Sequence, residues 1–292
     1  MRRSLWAGLV AALSLAGCED PFIDPFVEGK HFTVYGYLNS FEIDHFVRVV
    51  PVRRTPEDIP APDAQHADID AVVTSTNLTT NVTTRWTHTL KELDDGTYGH
   101  VFTSRFVVRD GHRYRLVVQR SDGAESVAET TVPNLRAPIA LPAQITSDSV
   151  TQVLVWPGAG VPERIELVYC AKPVGGFSCD DILIDYGRTG KMTSAGWELP
   201  IALSRDLFFV RRQLGFADEV VLELSNLDIR FTSLDSAWDA PQGEFDPEVF
   251  GQPGALTNVE NGFGFWGSVA RSIRSWTPDA EALRALGYVP PP

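Results

Sequence analysis

Between residues 30 and 135 hydrophobic and polar positions alternate in short runs, the period-two signature of half-buried β-strands. Seven runs stand out: FTVYGYL (32–38), HFVRVVPV (45–52), IDAVVTST (69–76), VTTRWTHTL (82–90), TYGHVF (97–102), RYRLVVQR (113–120) and SVAETTV (126–132). They are rich in β-branched and aromatic residues, which suit a pleated, half-buried surface. Asp95-Gly96, Asp110-Gly111 and Asp122-Gly123 punctuate them, and Asp-Gly pairs accept the positive φ that tight hairpins demand. Residues 54–68, with three prolines and four acids, predict a long exposed loop instead.

TTVPNLRAPIALPAQ (130–144), with three prolines, reads as a linker. Strands then resume in SVTQVLVWP (149–157), RIELVYCA (164–171), DILIDYG (181–187), GWELPIAL (196–203) and DEVVLELSNLDIRF (218–231). RDLFFVRRQL predicts a helix, with Ser204 as cap, Asp206 early, Arg211 and Arg212 late, and Gly215 as its stop. PDAEALRAL predicts a second, with Thr277 as cap, Pro278 at the first helical position and Gly287 at its end. A third short helix is expected from Ser233 through SLDSAW. No internal repeat of fixed period appears.

Seven short strands with regular turns over roughly 100 residues argue for a β-sandwich of immunoglobulin-like type. SVTQVLVWP and RIELVYCA resemble the opening strands of a fibronectin type III-like sandwich, with Trp156 in its core. The expected fold is therefore mainly β: two β-sandwich domains, residues 30–135 and 136–292, with a few short helices decorating the second.

The N-terminus has a different pattern. Arg2 and Arg3 precede an uncharged run, Leu5 to Ala16, too short to span a bilayer, which needs about 18 apolar residues. A basic start, a short apolar run and small residues make a secretory signal, here residues 1–17. Leu15-Ala16-Gly17-Cys18 resembles the lipobox of bacterial lipoproteins. That resemblance implies cleavage before Cys18 and lipidation of its thiol and new amino terminus. Several acyl chains make a lasting anchor where one is marginal. Residues 18–29, with two prolines and four acids, read as an extended tether.

Charge narrows the partners. The chain carries a net charge of −13, and removing the two arginines of the leader makes it more negative still. That argues against nucleic acid and against a polybasic membrane surface. Two cysteines remain, Cys170 and Cys179, flanking Pro173, Gly175 and Gly176. A loop closed by a disulfide between two strands is expected, since the envelope is oxidising. The CxxC spacing of a redox pair is absent, and no histidine follows His112 to support zinc.

With these pieces placed, a family resemblance can be named. The lipobox and tether lead into VYGYL (34–38), followed by GTYGHVF (96–102), DGHRYRLVV (110–118) and TNVENGFGFWGSV (257–269). Together they resemble an uncharacterised domain-of-unknown-function family of β-rich outer-membrane lipoproteins. Members of that family are often encoded beside TonB-dependent receptors. The resemblance implies a location and a possible partner, and it supplies no catalytic residue.

Motifs for chemistry are sparse. No GxSxG, HExxH, P-loop or EF-hand loop occurs. NGFGFWGS (261–268) alternates glycine with aromatics, which reads as a strand whose glycines admit a close neighbour, not as a phosphate loop. The histidines, at 31, 45, 66, 88, 100 and 112, show no ligand spacing; only His31 with His45 and His88 with His100 have hairpin reach. No metal and no cofactor are expected. Acids at 63–70 and 239–248 lack a calcium-loop pattern. Trp156 and Trp266 are expected in the core, and Trp238, beside Pro241 and Gly243, is the candidate exposed contact aromatic.

The expected function is thus a non-catalytic envelope protein, lipid-anchored at the outer membrane on its periplasmic face or at the cell surface. It would be an accessory binding partner of a TonB-dependent uptake receptor. The alternative is a structural or adhesive envelope protein. A hydrolase with a site of scattered carboxylates is the third reading.

Overall fold

The computed structural model describes residues 29–52, 68–93, 96–157, 162–217, 219–236 and 257–290. The first eight strands follow the sequence pattern closely. They are β1 (Phe32–Asn39), β2 (Asp44–Pro51), β3 (Val72–Asn77), β4 (Val82–Arg85), β5 (Thr87–Glu92), β6 (Tyr98–Arg105), β7 (Arg113–Gln119) and β8 (Glu125–Thr131). The predicted strand 82–90 is broken at Trp86, whose indole turns inward and donates to Ser75 Oγ at 2.9 Å.

The chain continues through β9 (Ile139–Ala140), β10 (Gln144–Ile145), β11 (Val150–Trp156), β12 (Pro162–Pro173), β13 (Asp180–Gly187), β14 (Lys191–Thr193) and β15 (Gly196–Ile201). Helix α1 (Leu203–Gln213) precedes β16 (Leu222–Leu234), β17 (Val259–Glu260) and β18 (Gly262–Ser275). Helix α2 (Ala280–Ala285) and β19 (Tyr288–Val289) end the described chain. The protein is mainly β, as its sequence pattern predicts.

These strands form three sheets. A nine-stranded sheet runs β13-β12-β16-β18-β1-β2-β6-β5, with β19 beside β16. A sheet β17-β8-β7-β3-β4 covers one end of it, and a sheet β10-β11-β15-β14, with β9 on β11, covers the other. Inward positions alternate as the pleat demands. One continuous buried cluster runs through the molecule, with Phe32, Val34, Leu38, Val47, Val49, Val73, Leu116 and Val118 in its N-terminal part. Ile165, Leu167, Tyr169, Phe231, Leu154, Trp156, Leu199 and Ile201 belong to the same cluster on the side of the second small sheet, where Trp156 and Phe231 stack at 4.8 Å.

β18 joins the two sandwiches. Its first half pairs in parallel with β1, from Phe32↔Gly262 to Asn39↔Val269. Its second half pairs antiparallel with β16, from Leu234↔Val269 to Asp228↔Ser275. β17 pairs with β8. Residues 259–269 therefore belong by hydrogen bonding to the first sandwich, far beyond residue 135, where the sequence pattern suggested a boundary. The glycines of NGFGFWGS lie in this strand, and Gly264, at φ +87, leaves room for the Val34 carbonyl. The seam is also polar. The hydroxyls of Thr130 in β8 and Ser268 in β18 both bond the buried carboxylate of Asp235, the latter at 3.1 Å.

Both helices start differently from expectation. Ser204 lies inside α1 rather than capping it, and its Oγ accepts the Val150 amide at 2.5 Å. α2 is capped by Asp279, whose carboxylate accepts the Glu281 amide at 2.9 Å; Thr277 and Pro278 precede the cap. The charged cap is the better acceptor for the exposed amides of a helix start. Of the short helix expected from Ser233 through SLDSAW, Ser233 and Leu234 belong instead to β16, which pairs there with β12 and β18, Ser236 has helical backbone, and residues 237 and 238 lie outside the described residues. The proline-rich linker contributes β9 and β10 to the second small sheet.

Candidate functional site

The predicted contact residue Trp238 and the lipidation residue Cys18 lie outside the described residues, as do His66 and the acids at 239–248. Cys170 and Cys179 form the expected disulfide, with Cα atoms 5.4 Å apart. It links β12 to the segment entering β13, closing the glycine-containing hairpin between them.

The histidines are placed by packing. His45 is buried against Phe106, with ring centroids 4.7 Å apart, and its Nε2 bonds the Phe106 carbonyl at 3.1 Å. His88 and His100 approach across β5 and β6, with Nε2 and Nδ1 3.0 Å apart. Burial lowers the pKa of all three from 6.5. His112 bonds Asn77 at 3.0 Å. His31 pairs through its backbone with Asn261 and Val52, away from His45. Among the described residues no group of three or more histidine, cysteine or acidic side chains is arranged to hold a metal ion.

A second polar network is enclosed in the C-terminal sandwich. Asp206, fully buried in α1, accepts hydrogen bonds from Tyr169 Oη at 2.8 Å and Tyr186 Oη at 2.6 Å. Arg205 donates to its other oxygen at 3.0 Å and lies over the Tyr186 ring. Tyr186 Oη also accepts the Ala202 amide, at 3.1 Å. Burial, then the neighbouring Asp206 charge, raises both phenol pKa values and keeps them as proton donors. The arrangement ties β12, β13 and α1 together around one carboxylate.

The sequence pattern offers Trp238 as an exposed aromatic, and that residue lies outside the described residues. Trp86, Trp156, Trp197 and Trp266 are all buried. Exposed aromatics occur at Phe177, in the hairpin between β12 and β13, and at Phe208 and Phe209 in α1, while Tyr35, Tyr37 and Phe46 share the outer face of the large sheet. Alternation in β1 sends Val34 and Leu38 inward and Tyr35 and Tyr37 outward, at 40% and 47% exposure. In β2 it sends Val47 inward and Phe46 outward, at 55%. Register sets Arg48 beside Tyr35 and Val101 beside Arg48. Gly36 lets the strands approach closely here, since a Cβ would stand 2.7 Å from the Phe46 carbonyl oxygen.

These side chains bound a half-open concavity of about 300 Å³, closed at its rim by Asn39, Glu42, Asp44 and Lys91. Asp44 faces Arg105 at 3.8 Å, both exposed. Beyond the rim, Phe41 is 57% exposed with the Arg271 guanidinium 5.5 Å from its ring. The signal in the sequence was Tyr35 and Tyr37 two apart in one strand, a spacing that puts both rings on one face. Chemically, the arrangement offers flat rings, two carboxylates and two cations to one ligand.

Comparison with known proteins adds little to this geometry. No family model matches the chain, and no curated protein matches it. Among solved structures, a pullulanase from Anoxybacillus sp. LM18-11 aligns at 12% identity over 69% of this chain and 24% of that one, with a TM-score of 0.23. A DUF4785 family protein from Legionella pneumophila aligns at 10% identity over 79% and 55%, with a TM-score of 0.24. A two-domain fibronectin type III segment of chicken tenascin aligns at 11% identity over 70% and 89%, with a TM-score of 0.19. The chain thus spans about a quarter of the pullulanase and about half of the DUF4785 protein. At these scores none carries an argument about activity, and the layered architecture rests on the strand pairing itself.

Proposed function

We propose that this chain is a non-catalytic binding lipoprotein of the outer membrane. It is held by lipid on Cys18 and presents the outer face of its large sheet to a ligand for a neighbouring TonB-dependent receptor. The observation that carries the binding role is the exposed row of Tyr35, Tyr37 and Phe46 over a polar-rimmed concavity. Large exposed apolar groups gathered on one face mark interaction sites. The LAGC lipobox and the acidic tether support the anchoring, and the resemblance to receptor-linked lipoproteins supports the partner.

The test is fractionation of cells carrying the wild type or Cys18→Ser, followed by pull-down from native outer membranes. Wild type should stay in the outer membrane and bring a TonB-dependent receptor with it, while Cys18→Ser should be released. Retention of Cys18→Ser in the membrane would remove the anchor from the reading. A wild-type pull-down without receptor would remove the partner.

A further inference from the structure

Resting on that reading of the aromatic face, we propose that its ligand is a neutral oligosaccharide. The first argument is shape. Tyr35, Tyr37 and Phe46 point outward from adjacent strands of one sheet, so their rings stand on a backbone fixed by pairing on both sides. The C–H faces of a pyranose are apolar and carry slight positive charge. They complement the negative faces of exposed aromatic rings. A sheet-borne platform gives such rings little freedom to lose on binding.

The second argument is charge. Glu42 and Asp44 supply two negative charges to the concavity, and Arg48 and Lys91 supply two positive ones. The site is balanced, inside a chain whose net charge is −13. An anionic ligand would meet repulsion from the whole molecule, and a cationic one would find no excess of acid locally. Sugar hydroxyls both donate and accept, so carboxylates, guanidinium and ammonium all have a use.

The third argument is size. The concavity, at about 300 Å³, is at the small end of ligand sites, which suits one or two sugar rings at a time.

The experiment is isothermal titration of the full chain, kept soluble by Cys18→Ser, with a panel of hexasaccharides. The neutral probes are maltohexaose, cellohexaose, xylohexaose, mannohexaose and chitohexaose; oligogalacturonate is the anionic control. At least one neutral probe should bind and the anionic control should not. Tyr35→Ala, Tyr37→Ala and Phe46→Ala should each weaken binding by roughly tenfold, and Tyr35→Phe should retain it. Unchanged melting temperatures would show that these exposed substitutions leave the fold intact.

No binding by any neutral probe at millimolar concentration, or preference for the anionic one, would overturn the proposal. If the probes fail while the three aromatic substitutions together still abolish receptor-dependent uptake, the sugar falls and the binding function stands. If a probe binds but no receptor co-purifies, the sugar stands and the partnership falls. Recovery of shortened oligosaccharide, lost in Glu42→Gln or Asp44→Asn, would overturn the non-catalytic reading of the same site.

Discussion

Gly264 is the position at which the shared strand is most exposed to a single atom. It sits in β18 at φ +87, where a Cβ would lie 2.2 Å from the Val34 carbonyl oxygen and 3.1 Å from two further Val34 backbone atoms. Ordinary Cβ contacts begin near 3.4 Å, so Gly264→Ala must drive β1 and β18 apart by more than an ångström. The left-handed backbone conformation costs a residue with a Cβ about 1–2 kcal/mol. Opening the ladder around Val34 loses two or three hydrogen bonds, each worth about 1 kcal/mol net. The sum, about 3–5 kcal/mol, lowers the Tm of a chain this size by roughly 6–20 °C. Gly123→Ala is the matched control: φ is +89 there and nothing lies within 4 Å of the added atom. It carries the conformational cost alone and should lower Tm by only a few degrees. Calorimetry gives the two Tm values, and hydrogen exchange shows where protection goes. Exchange should quicken in β1 and in β16, since β18 pairs with both. Equal Tm values for the two variants, or loss of protection in β1 alone, would refute the claim that β18 carries load for both sandwiches.

Two further outcomes follow from buried polar groups. Asp206→Ala strands the hydroxyls of Tyr169 and Tyr186 in the core, and each unsatisfied group costs about 1–3 kcal/mol; thermal melts should show a large loss, and Asp206→Asn, which keeps one acceptor oxygen, should lose less. A destabilisation below that of an ordinary surface substitution would mean the network is not holding α1. Acid should weaken the first sandwich through His45, His88 and His100. Their folded pKa values lie below 6.5, so their contribution is complete above that value and is lost as the pH falls through the folded values. Tm should drop as the pH falls below the ordinary imidazole value of 6.5, and the drop should be smaller in His88→Gln/His100→Gln. An identical decline in that variant would move the cause to other groups.

Local pattern was enough to read most of the longer strands, because each is a half-buried ribbon whose alternation is written in adjacent residues, while the short β9, β10, β14 and β19 and the second half of β18 carried no such signal. VYGYL announced β1, and ELVYC announced the centre of β12. The disulfide was legible for a similar reason: Cys170 and Cys179 flank a glycine-containing hairpin, so short-range geometry decides the pairing. What local pattern does not hold is long-range partnership. Nothing in GFGFWGSV says that this strand will lie parallel to residues 32–39, and parallel pairing has no hairpin turn to announce it. Ser204 does not cap α1 because its hydroxyl bonds Val150 on a distant strand, and α2 starts after Thr277 because Asp279 caps it. The candidate site was half legible. Tyr35 and Tyr37 were read as strand formers, and their spacing already placed them on one face. That this face would be the open one depended on which sheet covered the other side.

The same long-range pairing bears on how the site works. Most binding residues sit on loops, where ordering on contact subtracts from affinity. Tyr35 and Tyr37 sit on a strand that is internal to the large sheet, with β2 antiparallel on one side and β18 parallel on the other. Their backbone is fixed before any ligand arrives, and the inward neighbours Val34 and Leu38 are fully packed. A pair of exposed strands alone would not hold rings this way, since isolated hairpins are marginal in water. The strand that makes β1 internal comes from near the other end of the chain and is itself fastened to the second sandwich through β16. In the proposed binding role, the second sandwich, with its buried Asp206 network and its disulfide, would contribute without touching the ligand. It anchors the strand that stiffens the platform.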